Sequence, residues 1–142
     1  DPPGPALQGT GTLDDPFIID GALLFTDMRS TSDSPSSTFD LYSGCASTAD
    51  ESGPERVYRL DLAAPASVRA TVHDRGSVDI DLHVLDATAT VMGCLARAHR
   101  LIDIDLDVGT YYIVLDTFVS GGVEKSGEYL FTLQTLPVVA EQ

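Results

Sequence analysis

The chain has 142 residues, 43% of them hydrophobic, and a formal net charge of −14 from 17 Asp and 5 Glu against 7 Arg and a single Lys. That length and apolar content suit one domain with a substantial core and exclude a disordered tail. The charge excludes nucleic-acid binding and disfavours anionic membrane surfaces; it either attracts cations, Ca²⁺ above all, or only keeps the domain soluble.

Residues 1–12 are rich in Pro and Gly and read as a linker. The opening Asp1-Pro-Pro-Gly-Pro5 has neither a basic start nor an apolar stretch, so the chain is expected to be a domain from the interior of a longer polypeptide. A single domain is expected over residues 13–136, with a second linker at 137–142. Asp15-Pro-Phe-Ile-Ile19 reads as an edge-type strand opened by Pro, continued by Leu23-Leu-Phe25 after a turn at Gly21. Residues 27–35 are polar and read as a loop. Thr38-Phe-Asp-Leu-Tyr42 restores alternation, with Phe39 and Leu41 on one face, and residues 43–54 form a second loop.

From Glu55 onward the alternation is sustained. Tyr58–Leu62 and Val68–Val72 are expected to pair as a hairpin around Ala64-Pro65. Asp79-Ile-Asp-Leu-His-Val84 follows a turn at Asp74-Arg-Gly76. A further strand is expected at 88–92, with Cys94 at its end, and 96–100 has the composition of a single helical turn. Ile102–Leu106 and Thr110–Asp116 flank a tight turn at Val108-Gly109, and the last strand spans 128–135. A period of two over five to seven residues marks a strand with one buried face and one wet face. Its repetition predicts an all-β, antiparallel β-sandwich of about eight strands, jelly-roll-like, with under a tenth of the chain helical. The expected core comprises Leu60, Leu62, Val72, Ile80, Leu82, Ile104, Leu106, Ile113, Leu115 and Phe131. No apolar run approaches the roughly 18–20 residues of a membrane-spanning helix, so membrane insertion is not expected.

Cys45 and Cys94 have no Cys or His at metal-ligand spacing. An even count in an acidic, Lys-poor, all-β domain predicts one disulfide and an oxidising compartment; the alternative is two buried thiols.

The order of these segments resembles a known family. An Ala-Pro turn joins Tyr58–Leu62 to Val68–Val72, and Asp79-Ile-Asp-Leu82 follows. Then come Gly109-Thr-Tyr-Tyr-Ile-Val114 and Gly127-Glu-Tyr-Leu-Phe-Thr-Leu133. This is similar to the bacterial pre-peptidase C-terminal domain over about residues 55–134, and poorly so over the first 54. The resemblance implies a jelly-roll-like sandwich, export, and a non-catalytic role beside a parent secreted enzyme in the same polypeptide. It also implies removal on maturation in some members, and Ca²⁺ and collagen binding in some relatives in collagenases.

The residues themselves nominate one candidate site. Asp79, Asp81 and His83 fall on one strand face opposite Ile80, Leu82 and Val84, and Asp103, Asp105 and Asp107 repeat the pattern. Asp is a poor strand former, and like charges on neighbouring strands destabilise. A Ca²⁺ ion at Asp79 and Asp81 would relieve the repulsion; a solvated acidic face would also be cheap. Among catalytic patterns, no G-x-S-x-G, no H-E-x-x-H and no Gly-rich phosphate loop occurs. No catalytic residue is assigned. Ser30, Ser32 and Ser34 lack an identifiable His partner; Tyr111 reads as core and Tyr112 as its exposed neighbour. The expected function is a non-catalytic accessory module of a secreted or cell-surface bacterial protein. Its partners would be a peptide or other extracellular protein, a polysaccharide, or cell-surface material. The alternative is a structural or processing segment that aids secretion and binds nothing specific.

Overall fold

The computed structural model describes residues 7–19 and 24–138. The expected linkers at 1–12 and 137–142 are therefore covered only in part, and the turn at Gly21 lies outside the described residues. The described residues form eleven strands: β1 Phe17–Ile19, β2 Leu24–Ser30, β3 Glu55–Leu62, β4 Ala66–His73, β5 Ile80–Leu85, β6 Cys94–Ala98, β7 Leu101–Leu106, β8 Gly109–Thr117, β9 Val119–Ser120, β10 Val123–Glu124 and β11 Glu128–Pro137. Two sheets pack face to face, one in the order β1-β3-β8-β5-β6 and the other β2-β11-β4-β7; β9 and β10 form a small separate ribbon. Pairing is antiparallel except at one edge, where β1 runs parallel to β3. Helical structure among the described residues amounts to two 3-10 turns, 43–45 and 91–93.

The alternation does what the pattern requires. On β4, Ala66, Val68, Ala70 and Val72 are buried while Ser67, Arg69 and His73 face water. Tyr58 and Leu60 of β3, Ile80, Leu82 and Val84 of β5, and Ile113 and Leu115 of β8 meet Tyr129, Phe131 and Leu133 of β11 between the sheets. Phe25 meets Phe131 edge-on at 6.0 Å between ring centroids, a geometry that the aromatic quadrupole favours. Eight of the ten expected core residues are buried; Leu62 and Ile104 are half-buried and pack against the same cluster. The register is thus the one that the sequence predicts.

Strand partners differ from expectation. β3 and β4, read as a hairpin, lie in different sheets, and so do β7 and β8. The turns at Ala64-Pro65 and Val108-Gly109 carry the chain across the sandwich. Alternation specifies which face is buried; it does not say which neighbour completes the ladder. The two Asp stripes consequently never meet, because β5 is interior to the larger sheet while β7 is an edge of the smaller one. Asp103 on β7 instead takes Arg69 across the strand pair, Nε to Oδ1 2.7 Å.

The segment between β2 and β3, residues 31–54, is the distinguishing feature. The strand expected at 38–42 is absent. The segment is instead an irregular strap laid over the outer face of the larger sheet. Phe39 and Tyr42 are buried there with Val57, Leu85, Val114 and Cys94, making a second core, and Leu41, expected beside Phe39, is 54% exposed. The Cys45–Cys94 disulfide is formed, with Cα atoms 5.4 Å apart, and pins the middle of the strap to the start of β6. Gly44 has no room for a side chain, since a Cβ there would strike the backbone carbonyl of Met92. The strand expected at 88–92 gives way to a turn closed by the Asp86 carboxylate on the Thr88 N–H (3.0 Å), then the 3-10 turn at 91–93. At the other end of the chain, Gly11 O accepts from Val57 N at 2.9 Å and Leu7 packs against the main core, so residues 7–12 follow the sandwich surface.

Candidate binding cleft and the polar layer beneath the strap

β5 is flanked by β8 and β6 and is buried along its whole length. Its outward residues are therefore not wet, as the alternation alone suggests. Asp81 is 1% exposed and His83 0%, because the strap covers them. Burying such groups is costly unless they are paired. Arg97, opposite His83 on β6, supplies the pairing: its Nη2 donates to Asp81 Oδ2 (2.9 Å) and to Glu51 Oε2 of the strap (2.7 Å). His99 Nδ1 lies 2.9 Å from the other Asp81 oxygen.

The strap has its own anchors. The Tyr42 ring stacks on His83, with centroids 3.5 Å apart and planes 10° apart, and its hydroxyl donates to buried Asp116 at 2.6 Å. The Glu55 carboxylate accepts from Ser36 Oγ, Thr38 N and Phe39 N at 2.6, 2.8 and 3.0 Å. Satisfaction is incomplete at the centre: among the described residues Glu51 Oε1, His83 Nε2 and Arg97 Nε have no hydrogen-bond partner. His83 Nδ1 faces the Val114 carbonyl at 3.4 Å. A carbonyl only accepts, so Nδ1 carries the proton and Nε2 presents its lone pair toward Glu51 Oε2, 3.8 Å away. Burial, reinforced by the Arg97 charge, drives the His83 pKa down to about 3. Burial and the adjacent Asp81 push Glu51 up to about 9 against the pull of Arg97. At neutral pH the layer therefore holds a neutral imidazole and a protonated Glu51. Burial likewise raises Asp116 and Glu55.

Beside this layer the surface opens into a cleft of about 490 Å³, walled by strap residues 45–49 and floored by Asp79, Asp81, Arg97, His99 and Phe118. A second hollow of about 640 Å³ shares Asp79, His99 and Phe118 with it and runs on toward Lys125. Asp79, Asp81 and His99 each offer a ligand atom within 4.8 Å of the others, so this cluster could hold a metal ion. Asp79 and Asp81, the candidates that the sequence offers, both lie at this cleft. Sequence reasoning missed His99, which reaches them only because β6 pairs with β5, and it included His83, whose ring turns into the layer under the strap. Asp79 itself is half-buried, and burial together with Asp81 and Asp74 raises its pKa.

The serine cluster is structural. Ser34 Oγ donates to the Glu55 carbonyl and Ser32 Oγ bonds Ser126 Oγ at 3.3 Å, which shape the loop after β2. Tyr111 and Tyr112 are both half-buried, packed on the main and second cores respectively.

Fold and cleft together define a two-sheet β-sandwich carrying an irregular strap on one face. In fold the chain is similar to the pre-peptidase C-terminal domain of collagenase from Bacillus anthracis: 13% identity, TM-score 0.53, covering 79% of this chain and 90% of that one. It is also similar to PliG of Aeromonas hydrophila, a periplasmic inhibitor of g-type lysozyme: 8% identity, TM-score 0.53, covering 84% and 94%. At these identities the likeness is one of fold. It is the fold that the motif order resembles. No protein-family model matches the chain, and no curated protein matches its sequence.

Proposed function

We propose that this chain is a non-catalytic accessory module of a secreted or cell-surface bacterial protein, acting beside a parent enzyme in the same polypeptide. The ligand is a peptide, a polysaccharide or other cell-surface material, taken in the cleft between the strap and the β5 end. The observation that carries this is the disposition of the polar groups. The buried His83 imidazole and the Glu51 and Asp116 carboxyls are sealed under the strap, whereas the cleft beside them is open and mixes carboxylates, an imidazole, a guanidinium and Phe118. Such a surface suits recognition more than bond-making. The two similar folds, one a domain of a collagenase and the other an inhibitor of a lysozyme, accord with a sandwich that works by contact with another molecule. The disulfide accords with an oxidising, extracytoplasmic setting.

A divalent cation at Asp79, Asp81 and His99 belongs to the same proposal. Ca²⁺ wants six to eight oxygens, so with two carboxylates and one imidazole it would have to draw the rest from backbone carbonyls and water. Asp81 is moreover already neutralised by Arg97. Two carboxylates and an imidazole suit a smaller, borderline cation such as Zn²⁺ better.

The test is an amide-resolved NMR titration of the isolated chain with gelatin peptides, peptidoglycan fragments and soluble chitin or cellulose oligomers. Shifts confined to residues 45–49, 79–81 and 97–99, and abolished by Asp79→Ala, are expected for one of these classes. Silence toward all of them would favour the segment that aids processing and binds nothing.

A further inference from the structure

The strap is held unevenly. Backbone bonds fix its two ends: Ser36 O accepts from Glu55 N at 2.9 Å, and Asp50 O accepts from Val119 N at 2.8 Å. Between them residues 37–49 form no strand and join no ladder. Their grip on the sheet comes from the Phe39 and Tyr42 side chains, the Glu55 carboxylate and the Cys45–Cys94 bond. Against that grip stand the three buried polar atoms without partners, on Glu51, His83 and Arg97, all at the contact between strap and sheet. Water would satisfy each of them if the strap lifted. A covalent tether thus holds closed a segment that covers unsatisfied polar groups of the sheet, on His83 and Arg97, and of its own anchored end, at Glu51. Cys45 is partly exposed and borders the cleft, whereas Cys94 is buried.

We propose that the Cys45–Cys94 disulfide is a cleavable latch: its reduction by a dithiol releases the middle of the strap and dismantles the 45–49 wall of the cleft, while the two-sheet core stays folded. The reductant's thiolate attacks Cys45 Sγ, the accessible sulfur, and the S–S bond breaks. Cys94 leaves as a thiolate and takes up a proton. The reductant's second thiolate then displaces Cys45 from the mixed disulfide, and Cys45 in turn is protonated. Two electrons and two protons pass to the protein, and the dithiol is oxidised to its own disulfide. The main core survives because none of its residues is tied through either cysteine: β11, β4 and β2 sit on the far sheet, and β3, β8 and β5 keep their ladders. The gating of ligand entry rests on the cleft reading proposed above; the release of the strap does not.

Hydrogen exchange read by mass spectrometry on folded protein, with and without dithiothreitol, decides the matter without any ligand. Intact mass after alkylation verifies that two thiols have formed. Exchange across residues 37–51 is expected to quicken by about tenfold or more, with β4, β8 and β11 unchanged, as for a local opening rather than a global one. A Cys45→Ser/Cys94→Ser double variant should reproduce the reduced pattern. Unchanged strap protection in the fully reduced protein would overturn the proposal. So would simultaneous loss of protection in β4 and β11, because the bond would then be a staple for the whole fold.

Discussion

His83 and Glu51 face each other under the strap, Nε2 and Oε2 3.8 Å apart, with pKa values shifted in opposite directions, and this sets a pH profile. The folded pKa of His83, about 3, lies below its ordinary 6.5, so its contribution to stability is present above pH 6.5 and is lost as the pH falls toward 3. Glu51, at about 9, lies above its ordinary 4.5; its contribution is present below pH 4.5 and is lost as the pH rises toward 9. Between 4.5 and 6.5 the slopes oppose. Above 6.5 Glu51 acts without opposition from His83, at up to about 1.4 kcal/mol per pH unit. Melting temperature at constant ionic strength should therefore peak at mildly acid pH and decline by pH 8.5, and Glu51→Gln should flatten the alkaline limb. A profile rising from pH 6.5 to 8.5 would contradict the buried protonated carboxyl. The two aspartates of the candidate site should also separate in urea unfolding. Asp81→Ala deprives Arg97 of a buried partner and should cost about 3 kcal/mol. Asp79→Asn relieves a carboxylate that its surroundings already disfavour, and should stay within about 0.5 kcal/mol of the parent. Equal effects would mean that burial does not distinguish them. Nothing in Asp79-Ile-Asp-Leu announces that difference. The alternation shows which side each residue takes, and what covers that side comes from a segment some thirty residues earlier.

At the scale of the element, legibility divides at Glu55. β3, β4, β5, β7, β8 and β11 announce themselves because each has one apolar row against the core, and a period of two is all that requires. The strap does not. Phe39 and Tyr42 reach the sheet from an irregular backbone, so their spacing follows no period, and Thr38–Tyr42 imitates a strand by chance. β6 was obscured for a related reason: as an edge strand over a polar layer it carries Arg97 where the pattern calls for an apolar residue. The cysteines were the readable signal here, since their pairing tied 45 to 94 before either environment was known. Tyr42 is the element's main anchor. Tyr42→Phe keeps the stacking on His83 but strands the Asp116 carboxyl, and should cost about 1–3 kcal/mol. Tyr42→Ala also empties a fully buried volume and should cost about 3–5 kcal/mol. A Phe variant as stable as the parent would show that the hydroxyl bond adds nothing net.

For the whole molecule, the charge of −14 is distributed so that the stripes do not reinforce one another, and the cation question narrows to the cleft. Thermal melts in chelator, Ca²⁺, Zn²⁺ and Mg²⁺ at matched ionic strength check it. A cation at about 100 times its Kd stabilises by roughly 2.7 kcal/mol, several degrees in a domain of this size. Zn²⁺ should raise the melting temperature more than Ca²⁺, and Asp79→Ala should remove the gain. An equal rise with every salt would leave only screening of a solvated acidic surface. The ladders also dictate when the molecule can assemble. β2 finds its partner in β11, about a hundred residues later, and β3 finds its own in β8. Chains dominated by such distant pairings fold in milliseconds to seconds, because long loops must close before any contact compensates them. β11 lies between β2 and β4, so the smaller sheet has no centre until residues 128–137 are available. A chain delivered N-terminus first thus holds two unpaired strand edges and an uncovered hydrophobic face until β11 arrives. Truncation that removes β11 is the lesion to which this architecture is most vulnerable.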